Sequence, residues 1–203
     1  MNPTRVGKKI DLFFSRHFKK IVPQKIPSID SIPETIWIPP PQGYHKMNVD
    51  ISFRSHDASI GICYITRTNS GNFIFAGTET GHATSAEEGE CKGLQAAVRA
   101  GLQQQLKRVV FETDSKNVAA YLAGHAVNIS WTSSIILDQV KQQSMLFDYV
   151  FFLFCNRSGN ECAQILATLS ASSTHIPCNF LFPPDCLKEQ LRKDLIFCNS
   201  VNS

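Results

Sequence analysis

The sequence predicts an α/β domain built on one mixed sheet, and three observations carry that prediction. Residues 44–76 hold three β-rich runs separated by turn residues. From Glu87 onward the apolar spacing lengthens to three and four, the period of a helix. Val109-Val110-Phe111 is then a continuous apolar run, as expected for a strand buried on both faces. With 203 residues, 43% hydrophobic and 18% charged, the chain has the material for one packed domain with flanking segments.

The elements follow in order. Between Arg5 and Val22, the residues Val6, Ile10, Phe13, Phe14, Phe18, Ile21 and Val22 recur at helical spacing among lysines and arginines, so residues 1–22 read as a basic amphipathic arm stopped by Pro23. Residues 1–26 carry seven basic side chains and one acid, a charge of +6; the other 13 basic and 16 acidic residues give −3, for the total of +3. A polyanion, a membrane surface, an organelle import route or a docking partner would each suit such an arm, while the rest of the chain has no bulk basic character. Residues 23–43 contain six prolines and form a linker. A folded domain is expected over 44–172 and a C-terminal tail over 173–203.

Within that domain, Tyr44 to Phe53, Ile60 to Arg67 and Asn72 to Ala76 make an antiparallel meander. The stretch Glu87 to Gln105 is a helix whose Gly93, Ala97 and Gly101 permit close approach to the sheet. Short helices over Asn117 to Leu122 and Ser133 to Leu146, a strand over Tyr149 to Phe154 and a helix over Gly159 to Leu169 complete the order βββαβαβα. The longest apolar run, Tyr149 to Cys155, is far shorter than the ~20 residues of a membrane span. Seven cysteines without close-pair spacing argue against a disulfide scaffold or a zinc ribbon, and an intracellular monomer is expected, nuclear or cytoplasmic unless the arm directs it to an organelle.

Three acids stand out by position. Asp50 lies inside the first strand, Glu90 near the start of the long helix, and Asp114 at the carboxyl end of the buried fourth strand, where α/β sheets bind ligands. Singly, each has an ordinary explanation in a sheet edge, a helix dipole or an N-cap. If the first and fourth strands are parallel neighbours ~4.8 Å apart, however, the two aspartates face one another and repel by ~3 to 4 kcal/mol at an effective dielectric of ~20. A proton, a basic neighbour or a hard divalent cation offsets such repulsion, and oxygen-only ligands suit Mg²⁺ or Mn²⁺.

Five ordered segments resemble the plant reverse-transcriptase-like ribonuclease H domain: Trp37-Ile38-Pro39-Pro40-Pro41-Gln42-Gly43-Tyr44-His45-Lys46-Met47-Asn48-Val49-Asp50, Arg67-Thr68-Asn69-Ser70-Gly71, Ser85-Ala86-Glu87-Glu88-Gly89-Glu90, Val110-Phe111-Glu112-Thr113-Asp114-Ser115, and Arg157-Ser158-Gly159-Asn160-Glu161-Cys162-Ala163-Gln164-Ile165-Leu166-Ala167. That domain commonly ends retrotransposon polyproteins. The resemblance runs to about Asp194 through a closing Phe182-Pro183-Pro184 segment. It implies a five-stranded sheet in the order 3-2-1-4-5 and Mg²⁺-dependent cutting of the RNA strand of an RNA:DNA hybrid. It also implies Asp50, Glu90 and Asp114 as catalytic metal ligands.

The fourth ligand position of that family falls on Gln164, which is neutral and would act only through a water. Ile51 stands where the family has glycine, and an isoleucine there would crowd an approaching hybrid. Thr68 stands where the family has aspartate. Lys116, Arg157 and Asn160 flank the acids and are candidates for nucleic-acid contact. A silent nucleic-acid-binding module of the same fold is the alternative that these departures support.

Overall fold

The computed structural model describes residues 37–170 and 176–201. The basic arm, most of the linker and residues 171–175 lie outside the described residues. Three consecutive prolines cannot supply ladder donors, so Pro39 to Pro41 stay outside the sheet. The Tyr44 N–H then donates to the Pro41 carbonyl at 3.1 Å, closing a turn that needs Gly43 at φ +82°. From this turn the chain enters β1 (His45–Ser52), which pairs antiparallel with β2 (Ile60–Thr68), and β2 pairs antiparallel with β3 (Phe73–Gly81).

Thr68 ends β2, and its Oγ1 accepts the N–H groups of Ser70 and Asn72 at 3.2 and 3.1 Å. This is the turn-closing acceptor that an aspartate at the same place would supply. Helix α1 (Ala86–Gln103) begins at Ser85, whose side chain accepts the Glu88 N–H at 3.2 Å, and Glu87 and Glu88 sit at the positive end of the dipole. The chain continues through β4 (Arg108–Thr113), α2 (Lys116–Leu122), α3 (Trp131–Ser144), β5 (Tyr149–Phe154), a 3₁₀ turn at Arg157–Asn160, α4 (Glu161–Ser170), β6 (Cys178–Phe180) and α5 (Asp185–Val201).

The sheet order is β5-β4-β1-β2-β3-β6, with β4 parallel to both β1 and β5. The first five strands follow the expected order, but the sheet has six strands rather than five. Cys178–Phe180 adds to the outer edge of β3 through Ala76–Thr78. A three-residue strand is too short to show a period, which is why sequence reading placed it in the tail.

Apolar residues of the sheet separate by strand alternation onto two faces. Met47, Val49 and Phe111 pack with Leu94 and Val98 of α1 and Leu137 and Val140 of α3. Cys63, Ile65 and Ala76 pack with Ala163 and Leu166 of α4 and Leu187 and Leu191 of α5. Ile51 shares the first face, and a Cβ on Gly93 would meet its Cγ2 at 2.9 Å. The expectation that Ile51 crowds a substrate is therefore corrected: its side chain turns to α1, on the face opposite Asp50, and fills the space left by Gly93. Among the described residues, no helix is long and apolar enough to cross a membrane.

A buried polar network ties the segment before β1 to the sheet and to α5. Asn48 is its centre: its Oδ1 accepts from Trp37 Nε1 at 2.8 Å and from Arg67 Nη2 at 2.9 Å, and its Nδ2 donates to Glu112 at 3.0 Å. Lys46 pairs with Glu112 and donates to the Ile38 carbonyl at 2.6 Å. The Arg67 guanidinium lies 3.8 Å from the centre of the Trp37 ring and pairs with Asp194 of α5. Arg67 is 0% exposed and Asp194 6%, so this pair has little water to screen it. Removing one partner leaves a buried charge uncompensated. Asp194→Ala is expected to lower unfolding free energy by about 3 to 5 kcal/mol in urea titrations. Adding Arg67→Met should recover part of that loss; a single-variant cost below about 1 kcal/mol would show that α5 is not anchored by this pair.

Candidate metal centre

The parallel register sets the first half of the site. Asn48 pairs with Glu112, and two residues further along each strand come Asp50 and Asp114. Both aspartates thus leave the carboxyl end of adjacent strands on the same face. The third acid arrives from the other layer: Glu90, one turn into α1, reaches over the end of β4 and accepts from Thr113 Oγ1 at 3.2 Å. One carboxylate oxygen from each of Asp50, Glu90 and Asp114 lies within 4.8 Å of the others.

Of the three glutamates at the start of α1, only Glu90 joins this cluster. Glu87 accepts the Ser130 N–H at 2.9 Å, and Glu88 binds the Thr84 N–H at 3.0 Å and pairs with Lys92 at 2.6 Å. Those contacts hold the Glu88 carboxyl at about 2, with the Lys92 hydrogen bond the largest cause. Glu87 and Glu88 are helix-start groups satisfied in place.

Burial, then the neighbouring Asp114 charge, pushes Asp50 up to about 7. Burial, then Asp114 and Asp50, pushes Glu90 up to about 8. The site therefore favours added positive charge, whether protons or a cation. Arg157 supplies part of it, with Nε 3.2 Å from Asp114 Oδ2. Three carboxylates from separate elements, all-oxygen and converging, are a donor set that fits Mg²⁺ or Mn²⁺ and gives nothing for a soft metal.

The remaining expected site residues fall in different places. Lys116 is exposed at the first turn of α2, its ammonium 5.1 Å from the centre of the Phe154 ring. Arg157 is exposed beside Asp114. Asn160 is instead 0% exposed, and its Nδ2 donates to the Val49 carbonyl at 2.9 Å. It pins the 3₁₀ turn to β1 and is out of reach of a nucleic acid, a correction to its expected role. Gln164, in the first turn of α4, is half-buried and donates to the Arg157 carbonyl at 3.3 Å. Two contributions were not read from the sequence, the hydroxyl of Thr113 on Glu90 and the Arg157 pair with Asp114. The adjacency of Thr113 to Asp114 was the available signal for the first; the second has no sequence signature.

The strand order, the two helical layers and the acids at the strand ends define a ribonuclease H fold. RNase H1 from the halophilic archaeon Halobacterium salinarum superposes with a TM-score of 0.59 at 18% identity, covering 63% of this chain and 96% of that one. LC11-RNase H1, a compost metagenomic protein, superposes in its complex with an RNA/DNA hybrid at 0.57 and 16% identity, covering 63% and 96%. The N-terminal RNase H domain of a Mycobacterium tuberculosis protein gives 0.56 at 12% identity, covering 79% and 99%. No curated protein matches the chain in sequence. Residues 48–170 match the reverse transcriptase-like family, and the chain belongs to it.

The raised acids fix a pH dependence. Asp50 and Glu90 hold protons more tightly folded than unfolded, so their contribution to stability is complete below their unfolded values near 4 and is lost as pH rises through about 7 to 8. His45, lowered by burial, acts in the opposite sense, gaining stability as pH rises through its unfolded value of about 6.5. Comparison with Asp50→Asn isolates the Asp50 contribution. In chelator, the wild type should lose melting temperature relative to Asp50→Asn between about pH 5 and about pH 8, at roughly 2 to 4 °C per kcal/mol, and Mg²⁺ should close the gap at the alkaline end. Parallel melting curves would show that Asp50 does not titrate with folding.

Proposed function

We propose that this chain is a divalent-metal-dependent endonuclease of retroelement descent that hydrolyses the RNA strand of RNA:DNA hybrids. The observation that carries the reading is the convergence of Asp50, Glu90 and Asp114 to within 4.8 Å at the carboxyl edge of the sheet. Support comes from the family match and from the similar fold of LC11-RNase H1, solved with an RNA/DNA hybrid. Residues 44–172 carry the site on this reading, and the basic residues 1–22 and the linker 23–43 precede it.

The residues take distinct roles. Asp50, Glu90 and Asp114 hold the ion, Mg²⁺ or Mn²⁺. Such an ion supplies charge stabilisation at a scissile phosphate and favours ionisation of an attacking water. Thr113 orients Glu90 by its hydrogen bond, and the register of β1 against β4 keeps the two aspartates side by side. Lys116 and Arg157, exposed at the rim, meet backbone phosphates, and a hybrid would be recognised by shape and sugar hydroxyls with little sequence preference. Gln164 bears no charge and moves no proton; it steadies the Arg157 backbone.

That neutral Gln164 favours a second reading, a silent module that binds hybrids without turnover. Incubation of the purified chain with labelled hybrid and Mg²⁺ separates the two. Cleavage is expected, and Asp50→Asn and Asp114→Asn, folded normally by circular dichroism, should each lose more than the roughly 10- to 100-fold that loss of a ligand's hydrogen-bond partner costs. Intact substrate at high protein concentration, with hybrid binding retained, would establish the silent module. Gln164→Asp should raise the rate if the fourth position limits turnover, and a rate no higher than wild type would remove that explanation.

A further inference from the structure

The ion pair at the mouth of the triad is unequal. The Asp114 side chain is 11% exposed and that of Arg157 85%, so the guanidinium reaches the acids from solvent. Its backbone is fastened to the fold, while its side chain is held through a contact at the surface. Asn160, the last residue of the same 3₁₀ turn, is fastened to the Val49 carbonyl, and Gln164 donates to the carbonyl of Arg157 itself. The Nε contact to Asp114 leaves the other guanidinium donors available, and its charge acts on Asp50 and Glu90 as well.

A tethered monovalent cation beside three carboxylates is a competitor for any divalent ion that enters. Once such an ion is bound, the pair with Asp114 loses most of its electrostatic gain. A planar guanidinium set free at the rim is well matched to a phosphate, which it can bind through two parallel hydrogen bonds. We propose that Arg157 is an exchangeable counter-ion, held by Asp114 while the triad lacks a divalent ion and released to a phosphate of the nucleic-acid backbone when one binds. The inference rests on the reading of the triad as a metal site.

The exchange has a signature that simpler roles lack. A permanently free phosphate contact would add to hybrid affinity with or without the ion, and a purely structural pair would add to it in neither condition. Exchange makes the contribution conditional on the ion. The full chain and Arg157→Gln can be compared by calorimetric titration with Mg²⁺ and by anisotropy with a hybrid whose RNA strand carries 2′-O-methyl sugars, at matched ionic strength, so that turnover plays no part.

Arg157→Gln is expected to bind Mg²⁺ about two- to fivefold more tightly than wild type, the range an ion pair near the surface carries. Its hybrid affinity should equal that of wild type in chelator and fall about two- to fivefold below it in Mg²⁺. Equal loss of hybrid affinity in both conditions would overturn the exchange, as would saturable wild-type Mg²⁺ binding that the substitution leaves unchanged. Absence of saturable Mg²⁺ binding in both proteins would instead defeat the metal reading of the triad, and the exchange with it.

Discussion

Like charge forced into one place is the constraint around which this domain is organised. Asp50 lies in β1, Glu90 in α1 and Asp114 just past the end of β4, and from these separate elements they meet within 4.8 Å. Left in water they would separate. They stay together because each is carried by an element whose position is fixed by contacts unrelated to the acids, so the repulsion is borne by the whole core. Burial raises Asp50 and Glu90 first, and the neighbouring charges add to it.

The strongest of the fixing contacts lie just below the site. Lys46, Asn48 and Glu112 are two to four residues from the aspartates along the same strands, and their buried hydrogen bonds lock the β1–β4 register. A one-residue slip would turn Asp50 or Asp114 to the opposite face. Arg67 and Trp37 extend the lock to the pre-strand segment and, through Asp194, to α5. On the other face, Gly93 lets α1 approach Ile51 and Val49 closely enough for Glu90 to reach over the strand end. The network holds charges that a purely apolar core would not need; here it gives register, which apolar packing specifies less sharply.

Much of this was legible in the sequence, and the exceptions have physical causes. The meander and the long helix follow from periodicity and the Val109 to Phe111 strand from its continuous apolar run, and their boundaries agree with the structure to within a few residues except at β3, which runs on to Gly81. That extension is Gly, Thr and Glu, polar residues held by pairing with β2 that no local pattern announces. The strand β6 is pairing without period. Helix α5 falls in the stretch expected as a C-terminal tail, and its value lies in Asp194 meeting Arg67 across 127 positions, which no local reading reveals. Ile51 and Thr68 departed from the family pattern and looked damaging; the structure shows each satisfied, one against Gly93 and one capping a turn. Asn160 was the reverse case, a polar residue near the acids whose burial makes it structural.

The charge at the site bears on how Gln164 should be understood. With all three acids in the deprotonated form that a cation would require, the carboxylates and the Arg157 guanidinium would sum to −2, the charge that one divalent cation neutralises. A carboxylate at position 164 would have made the sum −3 and invited more cation; the amide leaves it unchanged and spends its hydrogen bond on the Arg157 backbone instead. The arginine therefore lowers the negative charge that the protein alone presents, and the neutral residue adds none. Any further positive charge would have to be balanced by an anion brought from outside, and a phosphodiester is such an anion. On the proposed reading, substrate and cation would complete the charge balance together, and the residue at 164 would serve the arginine that adjusts it.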